Sequence, residues 1–230
     1  MVHFNWTQLI PMVGHEYIHV ATALVALSLI ILLSFVGRLA LGNGEHAVIP
    51  AGKVSFKGLF EVIFEFVNGM AETVVGSQGK KYVPLFGAIF CYVFINNLLG
   101  LLPGMTPATD NLNTTIAVGF FSFIAYNYYG LRENGLGYLK HFLGPIWWLA
   151  WFMVVLETVS HLVRPVSLGL RLYGNMVGDH TVLSLFLDLA GYFLVPVIFY
   201  FLGMFVCFMQ AFVFMMLTMI YVSMAISHDH

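Results

Sequence analysis

The stretch Glu157–Gly178, which reads ETVSHLVRPVSLGLRLYGNMVG, sets charged and polar side chains inside an otherwise apolar run. The run extends from Phe142 to about Ala190. As one straight helix it would measure about 70 Å, more than twice the thickness of a hydrocarbon core of about 30 Å. We therefore predict a membrane segment that either breaks or lies strongly tilted in the bilayer.

Seven positions of this stretch recur at alternating steps of four and three residues. Such spacing lines them up along one face of a helix. They are Glu157, His161, Arg164, Leu168, Arg171, Asn175 and Gly178. A charged side chain at bilayer depth costs from about 3 to more than 10 kcal/mol, so we predict that this stripe faces protein or water.

The composition indicates a membrane protein, because 60% of the 230 residues are hydrophobic and 9% are charged, against about 25% charged in soluble domains. One span needs about 20 apolar residues, which leaves room for about five or six spans and no separate soluble domain. We predict a single polytopic membrane domain over residues 1–230. Nine basic and eleven acidic residues form no basic cluster, so we expect no nucleic-acid partner.

The pattern along the chain predicts an all-α integral membrane protein with about five membrane helices and one amphipathic helix. The amphipathic segment is Phe56–Val75, in which glutamates recur near helical spacing among apolar residues. The predicted membrane segments are Ile18–Leu41, Val83–Leu102, Thr114–Leu131, the polar-striped run that ends near Ala190, and Gly191–Ser227.

The distribution of basic residues predicts the orientation. The loop 103–113 carries Asp110 but no Lys or Arg, whereas Lys80 and Lys81 precede the flanking span and Arg132 and Lys140 follow the next one. Because basic residues favour the cytoplasmic side, we predict that this loop faces outward. The N-terminus is then outside and the C-terminus is cytoplasmic.

Arg171 is the candidate for an electrostatic gate. A guanidinium keeps its proton under ordinary conditions, so it can attract a carboxylate or repel a passing cation without carrying a proton itself. Gly169, Gly174 and Gly178 surround it in the sequence and would let a partner helix approach closely. The alternative for these glycines is packing within the chain.

Other polar residues in the two last segments are candidates for a proton path. Asp179 and His180 lie further along the striped segment, and Gln210 lies in the last span. Each could relay protons or line water, and each could instead satisfy a structural hydrogen bond. Likewise, Glu157 could simply neutralise Arg164.

Two rival functions remain open on the residues alone: a self-contained secondary transporter, and an intramembrane enzyme that pairs His161 or His180 with a carboxylate. The repeat symmetry expected of many transporters is not visible. Neither a phosphate-binding loop nor a metal-ligand spacing is present in the sequence. We predict that the chain is non-catalytic on its own and has no cofactor or metal.

Four motifs together resemble the a subunit of bacterial F-type ATP synthase, the ATP synthase A chain family. The resemblance covers the chain from about Lys57 to Tyr221. The motifs are PVSLGLRLYGNM at Pro165–Met176, QAFVFMMLT at Gln210–Thr218, NNLLGLLP at Asn96–Pro103 and TDNLNTT at Thr109–Thr115.

The resemblance implies a function for the polar stripe. Arg171 would correspond to the family's essential arginine, which faces the ion-carrying carboxylate of a rotating ring of c subunits. Asn175, Glu157 and Gln210 match polar positions of two aqueous half-channels, and His161, Asp179 and His180 join the candidates for ion translocation. Arg171 would block a direct path between the half-channels.

The resemblance also implies how the last two helices are arranged, which partners the chain has and in which membrane it lies. The two last segments would be long, strongly tilted helices that form a hairpin against the ring. The partners would be the c-ring, the b subunits of the peripheral stalk and the whole ATP synthase complex, within the lipid of a bacterial inner membrane. The chain departs from some members, which have a glutamate at the position of His180 and a histidine near Gly203.

Overall fold

The computed structural model describes residues 17–41, 56–102, 104–135, 150–190 and 195–226. Every regular element in these ranges is helical. The α-helices are α1 (Ile18–Leu41), α2 (Phe56–Val75), α3 (Val83–Gly100), α4 (Leu112–Asn134), α5 (Ala150–Ala190) and α6 (Val195–Ile226). Two short 3₁₀ helices, Ser77–Tyr82 and Ala108–Asp110, precede α3 and α4.

Helices α1 and α2 have the bounds that the sequence predicts. Large apolar side chains such as Leu24, Ile31 and Leu32 are each 60% exposed on α1, which suits a helix that faces lipid acyl chains. On α2, Val67 and Ala71 are buried, while other faces carry its glutamates and several exposed apolar residues. Such a mixed surface is typical of a helix at a membrane interface.

Helices α3 and α4 end at residues other than the predicted ones. Helix α3 ends at Gly100, two residues before the predicted end, and the proline that follows Leu102 in the sequence cannot continue a helix. Helix α4 is longer than the predicted Thr114–Leu131. Asn111 caps its start, because the Asn113 N–H donates to Oδ1 of Asn111 at 2.9 Å. Gly135, with a φ of 53°, follows its end.

Helix α5 runs without a break from Ala150 to Ala190, through the buried Pro165. Its 41 residues span about 60 Å at 1.5 Å per residue. Of the two alternatives for this segment, a break is therefore wrong for residues 150–190, and a strong tilt stays a prediction. The part of the predicted segment before residue 150 lies outside the described residues.

Helices α3 to α6 share one hydrophobic core, to which α2 also contributes. Its largest fully buried side chains are Tyr82, Phe86, Tyr126, Leu172, Phe214, Met215 and Met219. Helix α6 contacts α3, α4 and α5. Contacts between α5 and α6 run in antiparallel order, from Arg164 with Tyr221 through Asn175 with Gln210 to Phe186 with Phe199. Residues 191–194, between the two helices in the sequence, lie outside the described residues.

Glycines bring α4 and α5 into backbone contact. A Cβ on Gly119 would collide with the carbonyl oxygen of Pro165, and one on Gly169 would lie 2.9 Å from Cα of Ile116. Packing within the chain therefore accounts for Gly169. Gly174 and Gly178 differ, because a Cβ on either meets no atom of the described chain within 4 Å.

Four helices of the described chain are long and apolar enough to cross a membrane. The candidate spans are Ile18–Leu39, Ser77–Gly100, Trp151–Val182 and Val197–Ile226. Helix α4 contains more polar residues but packs against both α5 and α6, for instance through a 2.9 Å hydrogen bond between the hydroxyls of Ser122 and Thr218. The predicted count of five membrane helices stays a prediction.

Candidate functional site

Glu157 contacts a histidine and an arginine near the start of α5. Its Oε1 lies 3.4 Å from Nδ1 of His161 and 3.7 Å from Nη2 of Arg164. The guanidinium of Arg164 also lies 5.2 Å from the ring centroid of Tyr221 on α6, within the range of cation–π attraction. The pairing of Glu157 with Arg164, expected as an alternative, is therefore present in the structure.

The predicted stripe passes through two environments. Towards its start, His161 and Leu168 are buried, with 8% and 2% of their surfaces exposed. Towards its end, Arg171, Asn175 and Gly178 are exposed. An α-helix turns about 20° per heptad relative to a repeat of 3.5 residues, so three heptads rotate the stripe by about 60°. The stripe therefore moves from the core to the outer face of α5.

Arg171 lies near the middle of α5 on its exposed face. No described carboxylate approaches its guanidinium within 4.0 Å. The neighbouring Leu172 and Met176 point into the core, with 0% and 1% exposure. A charge on the outer face of a membrane helix needs water or a partner group, because lipid alone would leave it unsolvated.

The surface around Arg171 is open. Gly174 and Gly178 contribute no side chain, and Asn175 between them is exposed. We call the surface formed by Arg171, Gly174, Asn175 and Gly178 the arginine face. A surface of small residues lets a partner helix approach the α5 backbone closely.

A hydrogen bond joins α5 to α6 one turn beyond Arg171. Nδ2 of Asn175 donates to Oε1 of Gln210 at 2.5 Å. Gln210 is 4% exposed, and its buried Nε2 has no hydrogen-bond partner in the described chain. Buried donors are rarely left unsatisfied, so this nitrogen marks a position where water or another acceptor would be stabilised.

Asp179 and His180 lie at the other end of the same helix, beside the loop between α3 and α4. Nε2 of His180 is 2.9 Å from the carbonyl oxygen of Gly100, the last residue of α3. The carboxylate of Asp179 points to Gly203 on α6, since a Cβ there would lie 3.2 Å from Oδ2 of Asp179. The structure thus brings Asp179 and His180 to the junction of α3, α5 and α6.

Asp110 joins this group, although the sequence alone did not indicate it as a candidate. Burial raises the pKa of the Asp110 carboxyl above its ordinary value, and the charge of His180 offsets part of that effect. Next to it, Thr109 donates a hydrogen bond to Oδ1 of the buried Asn97 at 2.8 Å. Asp110 is distant from His180 in sequence, so spacing along one helix could not have identified it.

Six of the seven predicted site residues therefore form three groups, and the seventh, Arg171, pairs with no carboxylate of the described chain. Glu157 and His161 lie together at one end, Asn175 and Gln210 lie next to Arg171, and Asp179 and His180 lie at the other end. Arg171 stands between the first group and the other two along α5. This order defines a helical membrane protein with an exposed, centrally located arginine between two sets of polar groups, of which one is the first group and the other comprises the remaining two groups.

Comparison with known proteins agrees with that class. The chain belongs to the ATP synthase A chain family, whose model matches residues 4–223. It is 55% identical over 228 residues to ATP synthase subunit a of Bdellovibrio bacteriovorus, with 99% of each chain covered. With ATP synthase subunit a of Geobacter sulfurreducens it shares 44% identity over 79% of this chain and 78% of the other.

A third relative is ATP synthase subunit a 1 of Pelobacter propionicus, at 43% identity over 92% of this chain and 88% of the other. The resemblance that the motifs indicate is thus confirmed over nearly the whole chain. Together with four helices long and apolar enough to span a bilayer, it shows that the chain is a multi-pass membrane protein.

Proposed function

We propose that this chain is the proton-translocating a subunit of an F-type ATP synthase, working against a rotating ring of c subunits. The arginine face carries the proposal: it presents an unpaired cation and two glycines to the outside of the described chain. A ring helix could approach these glycines closely enough for its carboxylate to meet the guanidinium of Arg171.

In this proposal the two sets of polar groups belong to two aqueous half-channels. A proton enters on the side of Asp179 and His180, neutralises a ring carboxylate near Asn175 and Gln210, and travels around the ring through lipid. It leaves on the side of Glu157 and His161. Arg171 attracts each carboxylate after it has lost its proton and repels a proton that would pass directly between the half-channels.

The ends of the helix bundle support the proposed orientation. Lys81 at the start of α3 pairs with Glu133 at the end of α4, and Asn134 donates to the carbonyl oxygen of Ala225 near the end of α6. These ends share one side with Lys80 and Arg132, which we propose is cytoplasmic. The loop with Asp110 is then outside. The terminal residues 1–16 and 227–230 lie outside the described residues.

The proposed location of the chain is a bacterial inner membrane. There the c-ring, lipid and the b subunits of the peripheral stalk hold the chain in the complex. The chain itself needs no catalytic group, because ATP chemistry belongs to other parts of the complex. Its contribution is the separation of two proton paths by a fixed positive charge.

A cysteine at Gly174 is expected to cross-link to a c subunit in native membranes. Cys91 and Cys207 are first replaced by alanine, and bifunctional thiol reagents are applied to membranes whose ring helix carries a second cysteine. The matched control is Phe120→Cys, because Phe120 is 51% exposed on α4 rather than on the arginine face. Mass spectrometry identifies the product. Equal cross-linking at both positions, or none at Gly174→Cys, would contradict the proposed interface.

Replacing Gln210 by leucine is expected to slow ATP-driven proton pumping about tenfold with the complex still assembled. The hydrogen bond to Asn175 contributes only about 0.5–1.5 kcal/mol to stability, so assembly is preserved while a polar group of the path is lost. The neighbouring Met209→Leu variant, at an exposed apolar position, serves as the control. Wild-type pumping in Gln210→Leu would exclude Gln210 from the path.

A further inference from the structure

A cavity of about 450 Å³ lies between helices α1, α3 and α4. The residues that line it belong to these three helices, so the cavity is separate from the arginine face on α5. Its lining is almost entirely apolar, with Ile89 of α3 and Val118 of α4 among its residues. An engineered apolar cavity of about 150 Å³ binds benzene and stays dry. This larger cavity therefore has the size and the chemistry to bind a hydrocarbon longer than one ring.

Helix α1 contacts the rest of the chain on both sides of this cavity. Towards its start, Thr22 is fully buried, and α1 contacts the short helix that precedes α4. Towards its end, Gly37 packs on α2, because a Cβ there would lie 2.6 Å from Cε2 of Phe60. Between these two contacts, Leu27 and Ile30 line the cavity. Helix α1 therefore spans a gap that its own side chains do not fill.

The cavity opens towards the bilayer. Two of its lining residues are large and exposed, since 44% of Leu27 on α1 and 54% of Phe121 on α4 are accessible. A third, Ala88 on α3, is also exposed. Leu27 and Ala88 both lie within candidate membrane spans, Ile18–Leu39 and Ser77–Gly100. Because the hydrocarbon core surrounds such spans, a ligand that enters between them comes from the lipid.

The cavity follows one face of α4. Its lining residues on this helix are Thr114, Ala117, Val118 and Phe121, and steps of three and four residues place side chains on the same helix face. From the first to the last of them the helix rises about 10 Å. A hydrocarbon chain that runs parallel to α4 fits such a cavity.

Thr114 gives the cavity one polar end. It lies in the first turn of α4, next to the loop that contains Asp110, and its buried hydroxyl has no hydrogen-bond partner in the described chain. Buried polar groups are rarely left unsatisfied, and a bound water would need two to four polar partners, which an apolar lining does not offer. The ester oxygen at the head of a phospholipid acyl chain is an acceptor that this hydroxyl could use.

We propose that the cavity binds one acyl chain of a membrane phospholipid, with its ester oxygen at Thr114 and its hydrocarbon extending along α4 towards Phe121. Phospholipid is the bilayer component that supplies such chains on every side of the protein. The bound chain fills the gap under α1 and holds this helix against α3 and α4. The inference uses only the membrane location of the chain, so it goes beyond the proposed function and does not depend on Arg171.

The test uses the assembled complex in nanodiscs of phosphatidylethanolamine and phosphatidylglycerol. Part of the phosphatidylethanolamine carries a diazirine in the middle of one acyl chain. The labelled lipid is chased with unlabelled lipid before irradiation, and mass spectrometry locates the adducts. We expect Leu27 and Phe121 to stay labelled after the chase. Leu39, which is 68% exposed on α1, is expected to lose its label, because freely exchanging lipid contacts it. Equal loss at the cavity and at Leu39 would overturn the inference.

Ala117→Phe places a ring in the space that the acyl chain would occupy. Ala117 lines the cavity and is exposed, so the new side chain does not enter the packed core. Overfilling a packed site costs about 1–3 kcal/mol, and we expect the retained label at Leu27 to fall about tenfold, which corresponds to 1.4 kcal/mol. Leu131→Phe is the control, because Leu131 is exposed on α4 outside the cavity. Wild-type labelling in Ala117→Phe would overturn the inference.

Thr114→Val tests the polar end without adding volume. We expect the retained label to fall about threefold, the usual effect of losing one hydrogen bond. A diazirine fatty acid of the same length, added in place of the labelled phospholipid, is expected to be removed by the chase. Unchanged retention in Thr114→Val would overturn the contact with the ester oxygen. Equal retention of the fatty acid would overturn the assignment to a phospholipid.

Thermal stability tests whether the bound lipid holds α1 in place. Adding phosphatidylethanolamine to the detergent-solubilised complex is expected to raise its unfolding temperature, because a ligand that binds the folded state stabilises it. The rise is expected to be smaller in Ala117→Phe, in which the ring already fills the cavity, and unchanged in Leu131→Phe. The same rise in Ala117→Phe as in the wild type would show that the stabilising lipid binds elsewhere.

Discussion

Replacing Arg171 by alanine is expected to abolish both ATP-driven proton pumping and ATP synthesis while the complex remains assembled. Arg171 is exposed on α5, and the core contacts at this level belong to Leu172 and Met176. Removal of the guanidinium therefore leaves the packing of the chain intact. Its loss removes a positive charge that no other described residue of the arginine face can supply.

The size of the effect follows from the electrostatics of a charge that meets a carboxylate at the proposed interface with the ring. Two unit charges 4 Å apart interact by about 4 kcal/mol at an effective dielectric constant of 20. Every 1.4 kcal/mol corresponds to a factor of ten, so the guanidinium can suppress direct proton passage by about a thousandfold. Without it, protons would cross between the half-channels without turning the ring, and coupling would be lost.

The measurement uses inverted membrane vesicles, with proton pumping and ATP synthesis recorded side by side and the amount of assembled complex determined in the same membranes. Arg164→Gln is the control, because Arg164 lies on the same helix but pairs with Glu157 and Tyr221. We expect it to retain partial coupling. Unchanged pumping and synthesis in Arg171→Ala would favour the secondary transporter instead.

Replacing Gly119 by valine is expected to prevent stable incorporation of the chain into the membrane. The carbonyl oxygen of Pro165 on α5 occupies the position that a Cβ on Gly119 would need. Because this neighbour is backbone, it cannot move aside by changing a rotamer. Adding volume to a packed core typically costs about 1–3 kcal/mol, and separation of α4 from α5 also disturbs the contact between Ile116 and Gly169.

The amount of the chain in purified membranes is the readout, together with the thermal stability of the detergent-solubilised complex. We expect the membrane level to fall at least about tenfold, which corresponds to 1.4 kcal/mol. Gly87→Val is the control, since a Cβ on Gly87 has open space in the described chain. Wild-type levels of Gly119→Val would show that α4 and α5 are not held together at this contact.

The sequence predicts most of the helices because apolar length and local breaks are local properties. Helices α1 and α2 begin and end at the predicted residues, and α3 begins at the predicted Val83. The prediction is less accurate for α4, whose two ends depend on the Asn111 cap and on Gly135. An apolar segment alone does not indicate how a cap extends a helix beyond it.

The candidate site is predicted only as a set of residues. Periodicity identifies Arg171 and the polar stripe on α5, and the motifs relate that stripe to a family. Neither predicts that Glu157 contacts both His161 and Arg164 while Arg171 has no carboxylate among the described residues. Asp110 is missing from the predicted set because its relation to His180 depends on contacts between distant segments.

The sequence by itself determined that this is a helical membrane protein, where most of its helices lie, and that one long helix carries charged residues in an apolar run. Only the tertiary structure decided which of those charges are enclosed and which face outward. The reason is physical: a helix repeat fixes the angle between residues on one helix, but burial depends on where neighbouring helices pack. Ile116 against Gly169 buries one face of α5 and leaves Arg171 on the other.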